Sequence, residues 1–212
     1  MTDTQSPAGR SKALYWFLIL STAGLLLSAI RPHDYFTWWL EVLPAIIAMV
    51  VIFITGKKFP LSDLLYVLIL IHCFVLYTGG HYTYAEVPLF NRIRDILHQS
   101  RNNYDKVGHF IQGFVPCMVA RELLIRHKVI NKRSWLPFLC VSICLAISAL
   151  YELIEAFVAV LTGDSAEAFL GTQGYVWDTQ SDMFLAVIGA IAALIFLSRL
   201  HNSSMAKVMS NR

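Results

Sequence analysis

Charge is what this chain has least of. Only 15% of its 212 residues are Asp, Glu, Lys or Arg, against about 25% in a typical soluble domain. That shortage excludes a solvated surface of ordinary size. The net charge of +3 is small and its basic residues are scattered over several loops, which excludes the concentrated footprint of a nucleic-acid binder. Cysteine is scarce too. Cys73, Cys117, Cys140 and Cys144 all lie inside apolar runs, with no C-x-x-C pair, so they read as reduced, buried thiols rather than a disulfide framework. A Gly-x-Ser-x-Gly nucleophile context is absent, and so are internal repeats, low-complexity stretches and long linkers. One domain is the economical reading.

What fills the chain instead is apolar sequence. Hydrophobic residues make up 57%, with a mean hydropathy of +0.57, and they fall in long runs. From Ala13 to Ile30 there are 18 residues without a charge, close to the roughly 20 that a membrane-crossing helix needs. A cleaved signal peptide would have a shorter core and a better site than Ser28-Ala29-Ile30-Arg31-Pro32, so a retained helix is expected. Comparable runs predict an all-α polytopic membrane protein of six spans, at about 13–30, 38–55, 61–78, 107–125, 135–161 and 182–200. Residues 1–12 and 201–212 read as polar tails on either side of a single domain, 13–200. His72 falls near mid-membrane, where an imidazole suits a hydrogen bond between helices.

Two long loops interrupt the runs. In the first, residues 79–104, the pattern of residues 90, 93, 96 and 97 predicts a short interfacial amphipathic helix, while His81, Tyr82 and Tyr84 either roof a site or anchor in head groups. The second, 162–181, carries Gly163-Asp164, Glu167 and Gly171-Thr172-Gln173-Gly174, whose backbone amides could approach an anionic head group. Lys and Arg fix the orientation. Of the 17, eleven lie on the side of the two tails with Arg199, Lys57-Lys58 and the 126–133 loop, five lie on the other, and Arg121 falls within a span. The positive-inside rule puts the eleven, and both termini, in the cytoplasm. The two long loops then face outward, and Arg121-Glu122 lies at the cytoplasmic end of its span as a helix cap.

With that topology three polar stripes converge. Asp105, His109 and Gln112 are spaced i, i+4, i+7 and share one helix face. Asp178 and Asp182 straddle the outer start of the last span. Glu155 lies about six residues, roughly 9 Å, inside the outer boundary of the fifth span, with Glu152 a turn deeper on the face of Ser148. A carboxylate facing lipid at such depth costs about 2.5–3.5 kcal/mol or more, so both glutamates must point into the bundle. Three chemistries fit the mixture: a divalent cation held by His109, Glu152, Glu155 and Asp182, a carboxylate acid–base pair, or a packed network in which Lys106 and His109 neutralise the glutamates.

The runs YDKVGHFIQGF (104–114), YELIEAF (151–157) and GTQGYVWDTQSDMFLAVIGA (171–190) resemble the YjdF family of bacterial inner-membrane proteins across essentially the whole chain. The resemblance implies an inner-membrane location and no particular reaction. A more distant similarity is to VanZ-like membrane proteins, associated with glycopeptide resistance. Asp105-Lys106 and His109 match their first motif and Glu152 their second, with Glu155 in place of its Gln. Asp182 and Gly189 match the third, with Ala186 where Asn would stand.

The expectation is an outward-facing pocket lined by Asp105, His109, Glu152, Glu155, Asp178 and Asp182. It would bind and hydrolyse a lipid or lipid-linked envelope head group, with water activated by a metal or a carboxylate. The rivals are a small proton-coupled carrier and a non-catalytic envelope assembly protein. Membrane lipids are the expected partners, no nucleic acid is, and a homo-oligomer is compatible with the sequence. A divalent metal is the one cofactor these residues suggest.

Overall fold

The computed structural model describes residues 12–162, 169 and 172–210, and six long helices and one short one are seen among them. They are α1 (Lys12–Ser28), α2 (Tyr35–Thr55), α3 (Asp63–Tyr82), α4 (Pro88–Ile96), α5 (Tyr104–Arg126), α6 (Leu136–Thr162) and α7 (Asp178–Ser210), with a 3-10 turn at Arg133–Trp135 before α6. No strand occurs among the described residues. Most of the first tail, and Gly163, Asp164, Glu167 and Gly171 of the second long loop, lie outside them.

Length and composition select four helices able to cross a membrane: α2, α3, α6 with its preceding turn, and α7. Helix α1 is apolar but only 17 residues long. Helix α5 has 23 residues, but Asp105, Lys106, Arg121, Glu122 and Arg126 lower its hydropathy. The bundle wears a belt of exposed apolar side chains, among them Trp16, Leu26, Ile54, Phe138, Leu150, Phe157, Phe184 and Phe196. In water such a belt would be an aggregation surface; in a bilayer it is the solvated face.

Short turns force neighbouring helices to run antiparallel. Asp34 starts α2 as an N-cap, its carboxylate accepting the Thr37 amide at 2.6 Å. That bond holds the Asp34 carboxyl below its usual range. The same turn is tied to the end of α3 by His33 N–H donating to the His81 carbonyl at 2.8 Å. Helix α3 sits between α1, α2 and α5, burying Leu65, Tyr66, Ile69 and Cys73 against Phe17, Val42 and Met118. All four cysteines are buried and free, as their positions predict. The amphipathic α4 forms as expected and buries no residue. His72, expected to bridge helices, makes no hydrogen bond among the described residues.

The closest pairing is α5 against α7. A Cβ at Gly113 would collide with the backbone of Ala186, and one at Gly189 with the Phe110 carbonyl. Two glycines, one on each helix, thus let the backbones touch, as small residues do in membrane bundles. Helix α7 continues to Ser210 instead of ending near residue 200. The continuation stays ordered because His201 and Met205 are buried against the bundle.

Candidate functional site

Close contact between α5 and α7 lays two polar clusters along the same helix pair, one at each end. At the end bearing Tyr104 and Asp178, Asp105 and His109 occupy successive turns of α5, and His109 Nε2 lies 3.3 Å from Asp105 Oδ1. Asp182 Oδ2 of α7 is 3.9 Å from the same nitrogen. Glu152 Oε1 of α6 is 3.9 Å from His109 Nδ1, which also faces Gln112 Oε1 at 3.1 Å. All four residues are buried, Asp182 to 2% exposure. Arg101, just before α5, donates to Asp178 Oδ1 at 2.6 Å and lies 3.5 Å from Asp105 Oδ2. The three stripes named from the sequence therefore meet.

Two of those residues stand differently from the rest. Glu155 is half-buried and makes no hydrogen bond or ion pair among the described residues. Lys106, a candidate to neutralise the glutamates, donates to Ser181 Oγ at 3.0 Å instead.

Sequence reasoning missed three of four further participants, and left Tyr84 between roofing a site and anchoring in head groups. Glu41 of α2 is only 3% exposed and accepts the Tyr151 hydroxyl at 3.3 Å. Tyr151 in turn sets its ring edge-on to His109, with centroids 6.4 Å apart. Tyr84 fits into space left by Gly79 and Gly108, where a Cβ would strike its ring. Burial, and then the nearby Glu41 charge, push its phenol well above the ordinary range, so it stays a proton donor. Arg101 is the fourth. Glu41 could have been found by the cost argument applied to Glu152, since it too is a carboxylate in an apolar helix. Nothing in the sequence singles out Tyr151 or Arg101.

Asp105, His109 and Asp182 each offer one donor atom, and those atoms lie within 4.8 Å of one another. Two carboxylate oxygens and an imidazole nitrogen are a donor set that divalent ions accept. The expected metal set was His109, Glu152, Glu155 and Asp182; the group of close donor atoms brings Asp105 in and includes neither Glu152 nor Glu155. Several atoms remain unused. Asp182 Oδ1, Glu152 Oε1 and Ser148 Oγ are buried without a hydrogen-bond partner among the described residues. An unpartnered buried polar atom costs roughly 1–3 kcal/mol, more when charged. Three in one place are expensive unless something fills the space between them.

The far end of the same helix pair is built differently. Glu122, fully buried, accepts the Ser62 amide at 3.0 Å and the Arg126 guanidinium on one oxygen. His201 Nε2 meets its other oxygen at 2.9 Å. Arg121 donates to His201 Nδ1 at 3.0 Å and to Asn202 Oδ1 at 2.7 Å. Since arginine only donates, His201 must accept at Nδ1 and donate from Nε2 to Glu122. Arg121 and Glu122, expected to cap a helix end, instead lock α7 to α5 and to the start of α3. Both Glu122 oxygens and both His201 nitrogens are satisfied.

A family model described as "Predicted membrane protein (DUF2238)" matches residues 13–203. Among curated proteins, "Inner membrane protein YjdF" of Escherichia coli (strain K12) is 48% identical over 190 residues, which is 87% of this chain and 91% of that protein. No solved structure matches the chain.

Proposed function

The chain belongs to the DUF2238 family of predicted membrane proteins and is a multi-pass protein of the inner membrane, and from that premise we propose that its Asp105–His109–Asp182 end binds and hydrolyses a lipid or lipid-linked envelope head group. One observation carries the reading: the contrast between the ends of the α5–α7 pair. Glu122 and His201 are fully bonded, whereas Asp182 and Glu152 keep buried oxygens without partners. Ser62 Oγ and one Arg126 nitrogen at the Glu122 end also lack partners among the described residues, so the contrast lies in the carboxylates, whose unmet buried oxygens call for a cation or a proton.

In this reading six helices cross the membrane, α1 and α5 completing the four that qualify by length and composition, with both termini in the cytoplasm. The open end of the pair then faces outward. Asp105, His109 and Asp182 would hold a divalent cation, which when bound would supply a nucleophilic water at neutral pH. Glu152, beside His109, would serve as general base, and the half-buried Glu155 would relay protons toward solvent. Asp178 and Arg101 fix the orientation of Asp105 from α7 and from the loop. Carrier function is disfavoured because Val115, Met118, Ala190 and Ala193, all buried and apolar, fill the bundle between its two polar ends.

The test follows a single variant, Asp182→Asn, through two readings. Wild-type protein purified without chelator should carry about one divalent ion per chain, a stoichiometry the variant loses because its ligand set is broken. A strain expressing only the variant should show the same shift in envelope lipids as a deletion strain. Metal-free wild type, together with envelope lipids unchanged by deletion, would refute the proposal.

A further inference from the structure

Beside the cluster lies a second feature that the carboxylates do not use. A cleft of ≈ 310 Å³ opens at the start of α5, lined by Gln99, Ser100, Arg101, Asn103, Lys106 and Tyr175. Two cations share its aromatic wall: Lys106 Nζ lies 5.0 Å from the Tyr175 ring centroid and the Arg101 guanidinium 5.4 Å from it. Arg101 is compensated by Asp178 and Asp105. Lys106 has no carboxylate partner among the described residues, and its ammonium rests on Ser181 and the ring.

The backbone adds to the same field. Helix α5 begins at this cleft, and its N-cap, Asn103, makes no side-chain cap hydrogen bond. The Asn103 amide is turned to Gln99 Oε1 instead, at 2.8 Å. Asn102 Oδ1 takes up the Tyr104 amide at 3.0 Å; the other first-turn amides and the helix dipole leave a partial positive charge at this end, which favours an anion. Two side-chain cations and a helix start, converging on a cleft of this size, suit a doubly charged, oxygen-rich group better than a single carboxylate. Tyr175 is 40% exposed, so the cleft is reached from outside the bundle.

We propose that this cleft is a phosphate subsite, and that the head group handled by the neighbouring Asp–His–Glu cluster is phosphate-bearing. The inference rests on the hydrolytic reading for its second half only. Arg101 joins the two sites physically, because the guanidinium that lines the cleft also holds Asp105 and Asp178. A phosphate on Lys106 and Arg101 therefore lies one side chain away from the metal-ligating carboxylates. Specificity comes from the cleft and chemistry from the cluster.

The experiment measures ligand-induced thermal stabilisation of the full-length protein in neutral detergent, with inorganic phosphate, short-chain phosphatidic acid and acetate as probes. Phosphate or phosphatidic acid should stabilise wild type and Lys106→Arg. Lys106→Met should weaken that affinity about tenfold or more, as loss of a charge-assisted bond does. Tyr175→Ala, at an exposed position, serves as a second variant and should weaken it in the same direction. Stabilisation by phosphatidic acid but not inorganic phosphate identifies a lipid source; equal stabilisation identifies free phosphate. Chelator and Glu152→Gln should leave the binding unchanged, which separates failure of this subsite from failure of the hydrolytic reading. Equal affinity in wild type, Lys106→Met and Tyr175→Ala, an equal response to acetate, or no response to either phosphate probe would overturn the proposal.

Discussion

Glu122 and Asp182 are both buried carboxylates on the same pair of helices, and their surroundings separate two uses of buried charge. Glu122 has a partner for each oxygen and behaves as a fastener between α5, α7 and the α3 start. Asp182 faces His109 at 3.9 Å through one oxygen and leaves the other without a partner. Around it stand Asp105, Glu152 and Asp178 against His109. Such an acidic surplus favours a bound cation or bound protons. At this scale the sequence was most informative where charge meets lipid. The cost of burying a carboxylate singled out Glu152 and Glu155, and helical spacing added Asp105, His109 and Asp182. Glu41 was not recognised because it stands alone on its helix. Arg101 was not recognised because a loop arginine carries no such cost until its partners are known.

At the scale of elements, the α5–α7 contact determines whether any site exists. Gly113 against Ala186 and Gly189 against Phe110 bring the backbones together, and only then does Asp182 reach His109. Ala186, where VanZ-like proteins carry Asn, is fully buried with its backbone against Gly113, a position with little space for a longer side chain. Gly113→Leu should force the helices apart, costing at least about 1–3 kcal/mol of overpacking. It should also abolish metal binding, measured by elemental analysis of the purified variant; a variant that keeps its metal would show that the close approach is dispensable. Apolar run lengths placed the helices well, and the short α4 as well. Where helices ended was less legible. The extension of α7 to Ser210 depends on His201 finding Glu122, a pairing 79 residues apart in sequence that no local pattern encodes.

For the whole molecule, the apolar belt and the two polar ends describe a bundle with distinct faces. Orientation rests on the Lys and Arg of the 126–133 loop, Lys57-Lys58 and the tails. Reporter fusions at Lys57, within 126–133 and at the C-terminus should read as cytoplasmic, and those near Tyr84 and Gln173 as external. An external C-terminus would place the cleft and the carboxylate cluster on the cytoplasmic side and rule out an envelope head group reached from outside. Composition alone sufficed for the membrane class. The division of labour between the ends was not legible, because it depends on which buried oxygens lack partners, and that requires every neighbour to be in place.

The Asp105–His109–Asp182 end is held for chemistry and the Glu122–His201 end for the fold. The melting temperature of metal-free protein tests it most directly, comparing wild type with Asp182→Asn and Glu122→Gln. Removing the charge from a buried carboxylate bonded at both oxygens is expected to cost about 3–5 kcal/mol, so Glu122→Gln should melt well below wild type. Asp182→Asn relieves repulsion among neighbouring carboxylates and should melt at or above wild type. An Asp182→Asn protein that melts as low as Glu122→Gln would contradict the claim, making both ends parts of one structural lock.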